Sequence, residues 1–325
     1  MKVLTISIAA YNVEKTLERA LDSCLLPELL DDLEIIVVND GSTDRTLEIA
    51  QKYVERFPQT VRVIDKENGG YGTTVNSSMQ AATGRYFRLL DGDDRLDEAG
   101  LINLVDFLRT TEVDWVYAER ILEAPDGATV EADDERLALC GRVITSPTEL
   151  ALLKPCMWQS SFRTELIKEH PFSLPPRLLY TDSLFVANLI PFIHSAAVLD
   201  VPLYHYYVHA SAGQSTDKRV YAAHAEDLEH HQARMIEIGR THYSGKPSPL
   251  LAKRIAITHG VAHFALMLLP KSKQNKERII RLDEEVVAYD PSILDIYESG
   301  NESRVMRRTN YLLYGLFKLR KKNRL

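Results

Sequence analysis

The sequence predicts an α/β fold, a mostly parallel sheet flanked by helices with a C-terminal helical appendage, on three observations. Short apolar runs alternate with amphipathic stretches from residue 3 to 119, the pattern of a doubly wound sheet. The Gly, Asn and Asp residues of that region gather directly after the apolar runs, where the strands' carboxyl ends would form a crevice. Beyond residue 120 the alternation fades, and long helical periodicities return only from residue 224.

Residues 3–9, 33–39, 61–65, 86–90 and 113–118 are apolar runs too short for helices and suited to buried strands. Between them, residues 14–25, 44–57, 73–82 and 98–110 repeat apolar side chains at three- and four-residue intervals, as in Leu101, Leu104, Val105 and Leu108. A polar loop around 125–127 and an acidic patch over 131–135 open a less regular stretch. Residues 224–238 and 249–269 read as helices, separated by the turn Ser244-Gly245-Lys246-Pro247. The expected division is an α/β domain over 1–215, with halves 1–119 and 120–215, and a helical region over 216–325.

With 325 residues, 45% of them hydrophobic and 26% charged, the chain can bury a substantial core and has a globular composition. A net charge of −7 gives nucleic-acid binding no support. The start, Met1 to Ile6, lacks the pattern of a signal peptide, and no apolar run reaches membrane-span length, so a cytoplasmic location is expected. Cys24, Cys140 and Cys156 are widely spaced and odd in number, which suits reduced thiols. His259 and His263 have the i, i+4 spacing of two metal ligands, but Gly260-Val261-Ala262 between them carries no glutamate, so packing histidines are expected. Residues 304–325 hold eight Lys/Arg and no Asp/Glu, which leaves 31 basic against 46 acidic residues before them, a net of −15. With Tyr311, Leu312, Leu313, Tyr314, Leu316, Phe317 and Leu319, this basic amphipathic tail suits peripheral contact with an anionic membrane, on the inner face of the cell membrane. It suits equally a helix packed on its own domain.

The segment Arg85 to Asp94 ends an apolar run in three carboxylates within four residues. Asp91 and Asp93 on a tight turn offer hard oxygen ligands to Mg²⁺ or Mn²⁺, a set that substrate phosphate oxygens complete. A solvated turn before the next helix is the alternative. Three further loops follow apolar runs: Ser7-Ile8-Ala9-Ala10-Tyr11-Asn12, Val37-Val38-Asn39-Asp40-Gly41-Ser42-Thr43-Asp44, and Asn68-Gly69-Gly70. Asp40 at a strand end can accept charge-assisted hydrogen bonds from a base N–H or a ribose hydroxyl, while Ser42 or Thr43 suits a helix cap. Asn68-Gly69-Gly70-Tyr71-Gly72 lets a bulky ligand approach the backbone. It lacks the Gly-Lys-Ser/Thr of a P-loop, and no Gly-x-Gly-x-x-Gly follows the first strand, which argues against kinases and dehydrogenases.

In this order the four loops resemble those of the family 2 glycosyltransferases, enzymes of GT-A (Rossmann-like) fold, over residues 3 to about 215. The resemblance implies inverting, metal-dependent transfer of a sugar from a nucleotide-diphosphate sugar, with UDP the expected nucleotide. The acceptor it implies is a glycan or a lipid-linked molecule in surface-polysaccharide or cell-wall polymer synthesis. It makes 1–119 the nucleotide-sugar half and 120–215 the acceptor half. Ala10, Tyr11, Asn12 and Asp40 would surround the base and ribose, Asn68, Gly69 and Gly70 would line the donor, Asp91 would serve ribose and metal, and Asp93 chiefly the metal.

Within Leu178 to Phe185 the family carries Glu-Asp, so Asp182 is the candidate general base, with a helix N-cap as its alternative. Thr181 stands where the glutamate would be. Residues 202–207 and 211–215 resemble the closing strand and the segment that folds over the donor, with Gln214 and Ser215 as candidates to reach the diphosphate. Trp158 reads first as a core tryptophan, and with Gln159 it could line the acceptor site. The family's Ala-Arg-Asn after the glycine loop is here Thr74-Val75-Asn76. A sugar-phosphate nucleotidyltransferase would need a Gly-rich, basic first loop, which is missing. A noncatalytic module that binds nucleotide sugars or glycans and recruits partners through its helical region is the rival of a different class.

Overall fold

Every residue of Leu33–Asp40 is buried, the mark of a strand covered on both faces, and such strands belong to parallel sheets layered between helices. The computed structural model describes residues 1–124, 127–130, 134–154, 156–207, 217–296 and 301–317. They fall into two compact units, 1–210 and 211–325.

The first unit is built on a ten-stranded sheet. Its strands are β1 (Leu4–Ala10), β2 (Leu33–Asp40), β3 (Val61–Lys66), β4 (Tyr86–Asp91), β5 (Arg95–Leu96), β6 (Trp115–Ala124), β7 (Gly127–Val130), β8 (Val143–Ile144), β9 (Ser160–Arg163) and β10 (Ala196–Tyr207). The main order is β3-β2-β1-β4-β9-β6-β10-β5, with β7 on β6 and β8 on β10. β3, β2, β1 and β4 are mutually parallel. β9 lies antiparallel between β4 and β6. The sequence pattern makes β6 the natural successor of β4; the four-residue β9 was too short to signal that it intervenes. β10 runs parallel to β6, with register shifts on either side of Pro202, a residue without an N–H for the ladder.

Helices α1 (Leu17–Asp22), α2 (Thr46–Arg56), α3 (Tyr71–Ala81) and α4 (Glu98–Thr110) link the parallel strands. The apolar stripes of α1, α2 and α4, including Leu17, Leu21, Leu101, Leu104 and Leu108, pack with Leu4, Ile6 and Ile8 into one core. α1 is shorter than the predicted 14–25 because a turn from Val13 to Thr16 precedes it. α3 starts two residues early because Gly70, at φ +85°, makes the sharp entry. In the order 3-2-1-4 the connections reverse between β1 and β4, and the crevice at their carboxyl ends is where such sheets receive ligands.

Helix α5 (Thr181–Leu189) belongs to the first unit, and the second contains α6 (Ala225–His242), α7 (Pro249–Leu268) and α8 (Lys273–Tyr289), with a shorter helix at Asn301–Arg308. Ser248 and Ser272 cap α7 and α8 by accepting from Leu251 N and Asn275 N. α8 is absent from the sequence-based expectation, although Ile279, Leu282 and Val286 form its buried stripe. No helix among the described residues is long and apolar enough to cross a membrane.

In the tail, Met306, Tyr311, Tyr314 and Phe317 are buried, whereas Leu312 and Leu316 are exposed. Insertion of this apolar face into a bilayer would require those four side chains to withdraw. Residues 318–325, with five of the tail's basic side chains, lie outside the described residues.

Tyr311 donates to the buried Asp283 carboxylate, which also lies 3.0 Å from His259 Nε2. His259 Nδ1 in turn pairs with Gln232 at 2.8 Å. Burial alone would raise the Asp283 carboxyl, but His259, the charge of His263 and the Tyr311 hydroxyl outweigh it and hold the group below its ordinary value of 3.8. A carboxyl lowered on folding adds stability above that value and loses it as pH falls through the folded value. Tyr311→Phe should therefore cost about 1.5 kcal/mol at pH 7, and the difference should shrink below pH 4. Urea midpoints read by circular dichroism at pH 7 and pH 3 check both statements.

Candidate active site

The loops after β1, β2 and β3 are sewn together by their own side chains. Asn12, in the left-handed region at φ +53°, accepts from Thr43 N at 2.8 Å and donates its backbone N–H to Ser42 Oγ at 3.0 Å. Ser42 and Thr43 are thus tied to the first loop and do not cap α2; Asp44 accepts from Thr46 N instead. Asp40 is 2% exposed. Its carboxylate accepts from Gly69 N at 2.9 Å, Gly70 N at 2.8 Å and Lys66 Nζ, and Asn68 Nδ2 donates to the Asp40 carbonyl at 3.0 Å. These bonds give Asp40 the task of holding the glycine loop. A Cβ on Gly41 would lie 2.8 Å from Asn68 N, which is why the second loop turns on a glycine. Ala10 is buried at the end of β1, and Tyr11 beside it is exposed.

The β4 carboxyl end lies beside β1, with Asp91 opposite Ala9. Gly92 N donates to the Ala9 carbonyl at 3.1 Å, and a Cβ on Gly92 would come within 2.9 Å of that oxygen. α1 fixes the turn from the other side: Thr16 Oγ1 donates to Gly92 O at 2.8 Å and Arg19 to Asp93 O at 2.5 Å. The third carboxylate of the motif, Asp94, is 2% exposed. It accepts from the Tyr204 hydroxyl and from Tyr207 N, both at 2.8 Å, which joins the turn to β10.

Asp91 is the unusual member. Its Oδ1 is sealed from solvent and has no hydrogen-bond partner among the described residues. Burial and the charge of Asp93 raise its pKa, with Asp182 adding to the rise, while Tyr71 and Trp158 favour the charged form. Asp94 is raised for the same reasons, burial first and then Asp91 and Asp93. A pocket so short of positive charge fits a divalent cation. The described residues contain no group of three or more His, Cys, Asp or Glu that could hold a metal ion. Arg88, on β4 at 1% exposure, donates to Ser161 Oγ at 3.1 Å and to the Trp158 carbonyl. Burial lowers its pKa to about 10, and among the described residues it pairs with no carboxylate.

Helix α5 (Thr181–Leu189) brings Asp182 to the pocket. Its N-cap residue is Tyr180, at φ +60° and without a side-chain cap bond, so the N-cap alternative for Asp182 does not describe this helix start. The charge of Asp182 acts on both Asp91 and Tyr71. Thr181 packs with its methyl group toward Gly72, where a Cβ would lie 3.4 Å away. Trp158 stacks at a tilt against Tyr206, ring centroids 5.1 Å apart, with the Arg120 guanidinium 5.1 Å from the Trp158 ring. Gln159 is buried and donates to Glu119 at 3.0 Å. Gln214 and Ser215 lie outside the described residues.

The structure thus gathers Asp91, Asp94 and Asp182 around Tyr71, with Asp93 acting on Asp91, and places Ala10 to Asn12, Asp40 and Asn68 to Gly70 along the adjoining loops. Tyr71 had no role in the sequence reading; its place directly after two glycines at a helix start was the available signal. Lys66, the residue ending β3, was missed because its Asp40 contact joins strands 26 residues apart.

Residues 5–155 match the family described as Glycosyl transferase family 2. The glycosyltransferase EpsJ of Bacillus subtilis is 32% identical over 202 residues, which are 60% of this chain and 56% of EpsJ, so the chain spans little more than half of that relative. Among solved structures, S. aureus TarS residues 1–349 in complex with UDP-GlcNAc superposes with a TM-score of 0.68 at 19% identity, covering 97% of this chain and 90% of that one. The mannosyltransferase PcManGT from Pyrobaculum calidifontis, in complex with GDP-Man and Mn²⁺, gives 0.53 at 18% identity, over 98% of this chain and 86% of that one. At these identities the structural likenesses speak for the fold.

Proposed function

We propose that this chain, whose residues 5–155 match the family 2 glycosyltransferases and whose fold is that of GT-A enzymes, transfers a sugar with inversion from a nucleotide-diphosphate sugar to a glycan or lipid-linked acceptor. Surface-polysaccharide or cell-wall polymer synthesis is the setting proposed, and a UDP-sugar the donor. The observation that carries this reading is the convergence of Asp91, Asp93 and Asp182 at the carboxyl ends of β1 and β4, beside a glycine loop clamped open by Asp40.

The loops holding Ala10, Tyr11, Asn12 and Asp40 receive the base and ribose. Asp91 and Asp93 would hold Mg²⁺ or Mn²⁺, and the chemistry such a cation would supply is positive charge against the nucleoside diphosphate. Asp182 accepts the proton of the acceptor hydroxyl as its oxygen attacks the anomeric carbon opposite the leaving group. Tyr71 keeps its proton, since burial and the charges of Asp91 and Asp182 raise its pKa, and so offers an O–H donor to the carboxylates. Trp158 and Tyr206 present aromatic surface for the acceptor sugar.

Melting temperature with UDP, GDP, CDP and dTDP, each with Mn²⁺ or excess chelator, tests the donor site. A rise with UDP that requires metal is expected. If none of the four shifts the transition, the donor reading fails and the noncatalytic binding module takes its place.

A further inference from the structure

Arg177 adopts a left-handed backbone conformation at φ +56°, which is unfavourable for any residue with a Cβ and easy for glycine. It is held there against the glycine loop: its N–H donates to the Gly69 carbonyl at 2.8 Å, and a Cβ on Gly70 would stand 2.9 Å from the Arg177 nitrogen. The residue is exposed, and among the described residues its guanidinium has no hydrogen-bond or ion-pair partner. The loop it covers contains no Lys or Arg from Asn68 to Asn76. Lys66, just before that loop, is committed to Asp40 and to Thr73 Oγ1. Immediately beyond the two glycines, Tyr71 senses Asp91 and Asp182, and Arg177 precedes Asp182 by five residues. An unpaired cation is therefore carried on backbone that rests against the glycine loop, next to a tyrosine that feels the charges of Asp91 and Asp182.

Resting on the donor site proposed above, we propose that Arg177 is a donor-binding residue whose guanidinium grips the diphosphate of the nucleotide sugar across the Gly69-Gly70 turn. A planar guanidinium can give two parallel hydrogen bonds to phosphate oxygens, which an ammonium cannot reproduce. The bare glycine loop leaves the backbone open to the same anion. The strained conformation is then retained for what the side chain does, since glycine would serve the turn better.

The test separates binding from folding, because Arg177→Gly suits the turn. Parent, Arg177→Gly and Arg177→Lys are titrated calorimetrically with UDP, GDP, CDP and dTDP and with the matching monophosphates, all with Mn²⁺. Arg177→Gly should melt at or above the parent temperature, yet bind the preferred diphosphate about tenfold more weakly, with the monophosphate changing less than about threefold. Arg177→Lys should fall between. A correctly folded Arg177→Gly that binds the diphosphate as tightly as the parent, or loses both nucleotides equally, overturns the assignment while the donor site stands. A parent that binds none of the four overturns the donor site and this inference together.

Discussion

Asp93→Ala should lower turnover about a thousandfold or more, with the fold intact. Arg19 grips this residue by its backbone carbonyl, at 2.5 Å, a contact that the substitution leaves in place. Removal of the side chain takes away a proposed metal oxygen and one negative charge, so the metal-dependent rise in melting temperature with nucleoside diphosphate should vanish as well. Loss of that negative neighbour should also let Asp91 ionise more readily, because the Asp93 charge is the largest cause of its raised pKa after burial. Release of nucleoside diphosphate from the donor, followed by a coupled assay, measures the first effect. Near-parental turnover in a variant with parental circular dichroism would remove Asp93 from the mechanism.

Asp182→Asn should be the second large loss, about 10² to 10⁴ in kcat, and its signature should differ. The amide keeps the size of the carboxyl but cannot take the acceptor proton at neutral pH. The cross-ties of the donor loops do not involve Asp182, so metal-dependent binding of the nucleoside diphosphate should remain and donor KM should stay within about threefold of the parent. A loss confined to kcat marks a residue of the chemical step. Equal weakening of donor binding would mean that Asp182 acts on the donor site and not on the acceptor.

The parallel half of the sheet was legible because its strands are buried on both faces, and continuous apolar runs such as residues 33–39 have few other uses. The second half was less so. β9 has four residues, β8 has two, and the position of β9 between β4 and β6 depends on contacts far apart in sequence. α8 was hidden by its charge, since Ile279, Leu282 and Val286 are surrounded by Lys, Arg and Glu. At the site, the loop carboxylates were visible as residues, but their division of labour was not. Asp94 serves β10 through Tyr204 and Tyr207, and Asp40 serves the glycine loop. Both roles come from partners 29 to 113 residues away, beyond the reach of local spacing.

The cross-ties of Asn12 to Ser42 and Thr43, and of Asp40 to Gly69 and Gly70, bear on the thermodynamics of recognition. Three loops that would each lose conformational freedom on meeting a ligand have already lost it during folding, through bonds made within the chain. The entropy of ordering them is thus charged to the folding equilibrium, and a small ligand gains affinity from few contacts. Such a platform ties nucleotide affinity to fold stability, so loosening a cross-tie would weaken both at once.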